Sequence, residues 1–183
     1  MGKHYDSISA DLAKWIGDQR MFFVATAPLA ASGHVNVSPK GGEAFKVIGP
    51  NEVVYQDYTG SGAETIAHLR ENRRIVVMFC AFSGPPKIVR LHGQGTVITA
   101  KQARYEELAK IFPPNAGTRA FIHILVSRVG DSCGFSVPFY EFQGPRDTLD
   151  RWAANKGPEQ LAVYRNTKNQ LSIDGLPALT PDA

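Results

Sequence analysis

The chain has little of what marks several classes of protein. It carries two cysteines in 183 residues, without a Cys-x-x-Cys pair or clustered histidines, so we expect neither a metal site nor a disulfide framework. No apolar run approaches the roughly 20 residues that cross a bilayer, and the N-terminal residues lack a signal-peptide core. The net charge of +3 is too small to suggest nucleic-acid binding. We therefore expect a cytoplasmic protein that binds neither membranes nor nucleic acid and keeps its cysteines reduced.

The β-prone runs of the chain are short and closely spaced. Hydrophobic residues make up 43% and charged residues 20%, as in an ordinary soluble domain, which we expect to span residues 1–183. Pro39 is expected to end the second run. Ser9 is expected to cap the first helix, and Asp147 and Gly157 to bound a later one. The spacing is too short for βαβ units and favours a small antiparallel barrel with helices outside. Strands are expected at residues 22–26, 34–38, 44–48, 52–57, 75–82, 87–98 and 121–131.

A glycine-rich turn precedes a helical segment at residues 60–65 and suggests a phosphate site. It does not fit a P-loop, because Gly62 is followed by Ala63 and Glu64 instead of Lys-Ser/Thr. The dinucleotide fingerprint fails as well, because Thr65 stands in place of its third glycine.

The physical basis of both motifs still applies to this turn. Free N–H groups at a helix start favour an anion, and the hydroxyls of Ser61 and Thr65 would add donors. Tyr58 and Thr59 precede the turn, where they would meet a ring or a ribityl chain. The alternative is an ordinary capped turn, in which Ser61 caps the helix and Glu64 completes a capping box.

Four segments, in their order along the chain, resemble the pyridoxamine 5′-phosphate oxidase-like family of flavin-binding split barrels. The resemblance runs from about residue 9 to residue 124. It implies a six-stranded antiparallel split β-barrel with peripheral helices (an α+β fold), FMN as the cofactor, and a homodimer that holds FMN between its subunits. The segments are FFVATA, HVNVSPKGG, VVYQDYTGSGAETIAHLRENRRIVVMFCAF and KIVRLHGQGTVI.

The resemblance also implies a set of cofactor-binding residues. The flavin ring would rest on the edge formed by Asn36, Val37, Ser38 and Lys40. The phosphate would lie near Ser61, Gly62, Thr65 and Arg90, with Tyr58 and Thr59 at the adjoining strand end.

The chain departs from the true oxidases at their basic phosphate residues. Glu64 and Thr65 stand where the oxidases have Arg-Lys, and Ile88 replaces a glutamine. Arg90 and Lys40 are therefore our candidates for the missing cation. Arg90 alternatively pairs across the sheet surface, and Lys40 alternatively lies in solvent.

The resemblance implies an FMN-dependent oxidoreductase that acts on a small molecule by hydride transfer. Residues 134–183, a helical and loop-rich extension, differ from the substrate-binding end of the oxidases, so we do not expect pyridoxamine 5′-phosphate oxidation itself. No catalytic residue stands out, since the flavin carries the redox step. The alternatives are a non-catalytic flavin- or haem-binding module and a deazaflavin-dependent reductase. We also expect Cys80 to be buried and His68 to be half-exposed.

Overall fold

The computed structural model describes residues 2–180. Residue 1 and residues 181–183 of the expected domain lie outside the described residues. In chain order the elements are β1 (His4–Tyr5), α1 (Ala10–Gly17), β2 (Met21–Thr26), β3 (Asn36–Gly41), β4 (Phe45–Gly49), β5 (Glu52–Tyr58), α2 (Glu64–Asn72), β6 (Arg74–Cys80), β7 (Ile88–Ile98), α3 (Arg104–Ala109), β8 (Thr118–Ser132) and α4 (Thr148–Lys168).

The strands form one antiparallel sheet in the order β3-β2-β6-β7-β8-β5-β4, and the short β1 pairs with β8. This arrangement confirms the expected antiparallel barrel with helices packed outside it. The main path has seven strands instead of six. Strand β8 pairs with β7 along one edge and with β5 along the other.

The sheet curls until its two ends meet. The rings of Phe22 on β2 and Phe45 on β4 lie 5.1 Å apart, although these strands stand near opposite ends of the strand order. Phe79 of β6 completes the contact at 5.0 Å from Phe45. These inward side chains belong to the main hydrophobic core, which therefore fills the interior of the barrel.

Strand β3 continues past the point where we expected it to end. Pro39 lies within it and pairs with Phe23, and the ladder runs on to Gly41. The expected break at Pro39 is wrong because β3 is an edge strand, where a residue without an N–H is tolerated on the unpaired side.

Two helices begin or break where the sequence indicated. The Ser9 hydroxyl accepts the Leu12 N–H at 3.2 Å and caps α1, as expected. Helix α4 breaks at Gly157, whose φ of 68° is left-handed. Asp147 stands at the N-cap of α4 without a side-chain cap bond.

Helix α2 lies close to β7 because Gly95 has no side chain there. A Cβ at Gly95 would lie 2.8 Å from a methyl carbon of Leu69. The contact carries α2 across one end of the barrel and sets where its N-terminus points. Among residues 2–180, no helix combines the length and apolar composition needed to cross a membrane.

Candidate functional site

The glycine-rich turn does not form the capping box that the sequence allowed. Helix α2 begins at Glu64, and its N-cap residue is Ala63, which has no side chain able to cap. Ser61 lies too far before the first helical residue to act as the N-cap, so that alternative is wrong. The first-turn N–H groups of α2 are consequently left without an N-cap acceptor from the described chain.

The carbonyl groups of the turn are bound by side chains from distant elements. Arg119 on β8 donates to the Gly62 carbonyl at 2.9 Å. Asn169, which follows α4, donates to the Gly60 carbonyl at 2.8 Å. These two bonds fix the conformation of the turn.

A second anchor holds the strand end just before the turn. The buried Thr59 hydroxyl donates to the Gly117 carbonyl at 2.8 Å and accepts from Arg165 Nε at 2.8 Å. Sequence reasoning missed Arg119, Arg165 and Asn169, because single polar residues at a strand start or in a helix give no spacing signal.

A buried carboxylate joins two cations beside the turn. Asp57 Oδ1 accepts from Lys40 Nζ at 2.8 Å, and Asp57 Oδ2 accepts from Arg119 Nε at 2.7 Å. Burial by itself would raise the pKa of Asp57, but the charges of Lys40 and Arg119 outweigh it and lower the pKa to about 2. Asp57 is therefore charged at neutral pH, and together with its two cationic partners it forms a cluster with a net charge of +1.

The β3 edge contributes two polar side chains to the same region. Asn36 Nδ2 donates to Thr65 Oγ1 at 3.0 Å, and the Ser38 hydroxyl donates to Asn36 Oδ1 at 3.0 Å. Thr65 stands in the first turn of α2 and is buried. Val37 points to the other face of β3 and is 61% exposed. The strand thus offers polar groups inward and an apolar side chain outward, as its period of two requires.

Three side-chain polar atoms are buried without a hydrogen-bond partner among the described residues. They are the Tyr55 hydroxyl, the Nε2 atom of His68 on α2 and the Oδ1 atom of Asn169. Burial, with a smaller contribution from Asp57, raises the pKa of Tyr55 well above its usual value, so this phenol stays protonated. The Tyr58 hydroxyl donates to Gln56 Oε1 at 3.0 Å.

The structure does not bring Arg90 to the turn. Arg90 lies on the outer face of β7, paired with Met78 and Gly130, and donates to Ser132 Oγ at 3.1 Å. Arg119 bonds the Gly62 carbonyl of the turn, Lys40 joins Arg119 through Asp57, and Arg165 bonds Thr59 just before the turn, so these three residues are cations near the turn.

Two other expectations about single residues have opposite outcomes. His68 is fully buried and its Nδ1 lies 3.0 Å from Thr26 Oγ1, so the expected half exposure is wrong. Its position on the barrel side of α2 explains the burial, which lowers its pKa. Cys80 is buried, as predicted, whereas Cys133 is exposed.

The arrangement suits an oxyanion more than a metal ion. It combines uncapped helix amides, the Thr65 hydroxyl and a cluster of net positive charge. The Glu64 carboxylate occupies the space where a Cβ at Gly62 would lie. It would have to turn away when an anion binds at the turn. Among residues 2–180, no group of three metal-binding side chains is present.

Comparison with known proteins places this geometry in a family. The family model described as "Pyridoxamine 5'-phosphate oxidase" matches residues 8–133, more than half of the chain. The chain belongs to the pyridoxamine 5′-phosphate oxidase family. The matched part contains the turn, Asp57, Lys40 and Arg119, whereas Arg165 and Asn169 lie beyond it. The resemblance drawn from the four segments is thereby confirmed.

A sequence relative agrees with this membership, and two solved structures are similar in fold. The chain is 39% identical to the "pyridoxamine 5'-phosphate oxidase family protein ustO" of Aspergillus flavus, over 96% of this chain and 77% of that protein. The crystal structure of HupZ from Group A Streptococcus is similar in fold, with 22% identity, a TM-score of 0.53, and coverage of 67% of this chain and 91% of that one. A proposed family oxidase of Lactobacillus delbrueckii has 14% identity and a TM-score of 0.52 over 68% and 94% of the two chains.

Proposed function

We propose that this member of the family binds FMN and acts as a homodimeric oxidoreductase on a small molecule. The observation that carries the proposal is the N-terminus of α2, where Ala63 provides no side-chain cap and Thr65, Lys40 and Arg119 lie near. Helix amides without a cap favour an anion. Phosphate is the anion that we propose, because glycines in the turn allow it to approach the backbone N–H groups closely.

In this proposal the chain supplies a phosphate cradle and a ring platform. The phosphate contacts are Ser61, Gly62, Thr65 and the amides of α2. Arg119 and Lys40 supply the positive charge that the sequence led us to assign to Arg90. The unpaired backbone edge of β3 at Asn36, Val37 and Ser38 supports the ring, with Tyr58 and Thr59 at the strand end.

The bound flavin would supply the hydride transfer, and the chain would supply binding, orientation and exclusion of water. We propose no catalytic side chain. The exposed aromatic side chains of residues 135–142 support the proposed homodimer. The two free thiols, buried Cys80 and exposed Cys133, support a reducing compartment such as the cytoplasm.

The first test of the proposal is a titration of the purified protein with FMN, followed by flavin fluorescence. The variant Thr65→Val keeps the shape of the side chain and removes its hydroxyl. We expect the dissociation constant to rise about fivefold to tenfold, the effect of one lost hydrogen bond of about 1–1.5 kcal/mol. Thr167→Val is the matched control, because the Thr167 hydroxyl bonds only the Val163 carbonyl on exposed α4. Equal affinities for Thr65→Val and the wild type would remove Thr65 from the site, and a wild type that retains no FMN would refute the proposal.

A specific observation favours a second candidate, a flavin-binding module without catalysis. Asp57 already pairs with Lys40 and Arg119, so these two cations offer less charge to a phosphate than free arginines would. Anaerobic addition of NADH or NADPH to the FMN complex separates the two candidates. Bleaching of the flavin absorbance supports the oxidoreductase, and an unchanged spectrum supports the module. Parallel titrations with haem and a deazaflavin test the other ligands.

A further inference from the structure

The histidine that precedes β3 is held by a carboxylate from the far end of the chain. Asp174 Oδ1 lies 2.6 Å from His34 Nδ1, and Asp174 Oδ2 accepts the His34 backbone N–H at 2.8 Å. Gly33 leaves room for this carboxylate, because a Cβ there would lie 3.2 Å from Asp174 Oδ2. The two bonds fix both the backbone and the imidazole ring of His34.

The same pair leaves one nitrogen of the ring unused. Hydrogen bonds from the His34 side chain and then from its backbone N–H lower the pKa of Asp174, so this carboxylate is charged at neutral pH. A charged carboxylate only accepts hydrogen bonds, so Nδ1 of His34 carries a hydrogen. Within the described part of the chain Nε2 has no hydrogen-bond partner, and the His34 side chain is 70% exposed. The ring is therefore held with Nε2 available to a ligand.

The segment that carries Asp174 also holds the glycine-rich turn. We call residues 169–179 the C-terminal strap. At its start, Asn169 donates to the Gly60 carbonyl at 2.8 Å. Near its end, Ala178 is fully buried in the main hydrophobic core. The strap therefore connects the turn to His34 and is itself anchored in the barrel.

Strand β3 and helix α2 place His34 beside the same turn. Asn36 stands two residues after His34 and donates to Thr65, in the first turn of α2, at 3.0 Å. Residues two apart in an extended chain share a face and are about 7 Å apart. Burial lowers the pKa of His68 in the second turn of α2, and the charge of Asp174 opposes that effect, so Asp174 lies close to the helix. His34 is thus at the phosphate end of the proposed site, beyond the β3 edge that would support the ring.

We propose that His34 is a further ligand-binding residue, whose Nε2–H donates to the phosphate held at the turn. The inference rests on the proposed function, because it adds a contact to the same flavin phosphate. A phosphate beside the ring favours the imidazolium form, in which both nitrogens donate. A charge-assisted bond of this kind is roughly twice as strong as a neutral one. It gives the site a donor that the first turn of α2 lacks, since Glu64 and Thr65 are not basic.

The test compares FMN with riboflavin, which has the same ring and ribityl chain but no phosphate. His34→Asn places an amide nitrogen near the position of Nδ1, so it keeps the bond to Asp174 and removes Nε2. We expect the dissociation constant for FMN, followed by flavin fluorescence, to rise about fivefold to tenfold and that for riboflavin to change less than about twofold. Equal FMN affinities of the variant and the wild type would overturn the inference and leave the proposed function standing. Equal losses for both flavins would mean a structural effect and would also overturn it.

The matched control is another histidine that pairs with a carboxylate. His123 Nε2 lies 3.3 Å from Glu52 on the barrel wall, and His123→Asn should bind both flavins like the wild type. An equal loss of FMN affinity in both histidine variants would refute the role of His34.

Nitrogen NMR of the histidine rings gives a readout that a purely structural role would not change. We expect FMN, but not riboflavin, to shift the His34 ring of the wild type to the imidazolium pattern. An unchanged ring signal in the FMN complex would overturn the inference. A wild type that binds neither flavin would refute the proposed function and this inference together.

Discussion

Asp57 organises the candidate site at the scale of single residues. Its two carboxylate oxygens bind cations from two different strands, Lys40 on β3 and Arg119 on β8. Arg119 in turn binds the turn carbonyl of Gly62. One buried charge therefore connects the β3 edge, the end of β8 and the phosphate turn, and its loss would leave two cations poorly compensated.

The depressed pKa of Asp57 predicts how stability depends on pH. Because the folded pKa of about 2 lies below the ordinary value of 3.8, the stabilisation is complete above 3.8 and is lost as the pH falls towards 2. This interval corresponds to about 2 kcal/mol. Between pH 5 and pH 2, we expect the free energy of unfolding of the wild type to fall by about 2 kcal/mol more than that of Asp57→Asn. Urea unfolding of both proteins at each pH measures this difference.

The control for this prediction is an exposed acid. Glu159→Gln removes a carboxylate from the surface of α4 and should leave the pH dependence close to that of the wild type. Parallel pH curves for Asp57→Asn and the wild type would show that Asp57 is not stabilised by its cations.

At the scale of elements, two glycines of β7 set how the barrel is built. The register between β7 and β8 shifts between His92 and Gly93, which marks a bulge. A Cβ at Gly93 would collide with the Leu125 carbonyl oxygen. Gly95, two residues on, admits Leu69 of α2. The same short segment therefore bends the sheet and positions the helix whose N-terminus forms the candidate site.

We expect Gly93→Ala to lower the free energy of unfolding by about 2 kcal/mol or more, because the obstacle is backbone and cannot rotate away. Thermal and urea unfolding provide the measurement. Gly17→Ala is the control, since a Cβ there meets nothing within 4 Å at the end of α1, and the change should be neutral or stabilising by about 0.5–1 kcal/mol. A Gly93→Ala protein as stable as the wild type would rule out the close approach of β7 to β8.

At the scale of the whole molecule, the chain leaves an aromatic segment uncovered. Residues 135–142 run beyond β8, and Phe135 and Phe139 are 82% and 79% exposed. Tyr140 and Phe142 in the same segment are also exposed. Clustered exposed aromatic side chains are typical of protein interfaces, and a second copy of this chain is the occupant that we propose.

This proposal predicts a change in oligomeric state. We expect the wild type to sediment as a dimer and Phe135→Ser/Phe139→Ser to dissociate at least about tenfold more readily, because buried aromatic anchors dominate interface energies. Sedimentation velocity over a range of concentrations measures this. Val163→Ser/Ile173→Ser replaces two other exposed apolar residues and should remain dimeric. A monomeric wild type, or equal dissociation of both double variants, would contradict the prediction.

Much of the fold was predictable because it depends on local patterns. Alternating or apolar runs bounded by Gly and Pro indicated the strands, Ser9 indicated the start of α1, and Gly157 the break in α4. Pro39 was misjudged because local sequence does not tell an edge strand from a central one. His68 was misjudged because its burial depends on which side of α2 faces the barrel.

The sequence by itself determined the family, the antiparallel barrel and the glycine-rich turn, because each is recognised from patterns of residues that are close together along the chain. Only the tertiary structure decided which cations accompany the turn. Lys40, Asp57 and Arg119 come from three separate strands, and Asn169 comes from the chain's distant C-terminal part. The curling of the sheet brings these four residues together, and local sequence patterns do not predict which distant strands become neighbours.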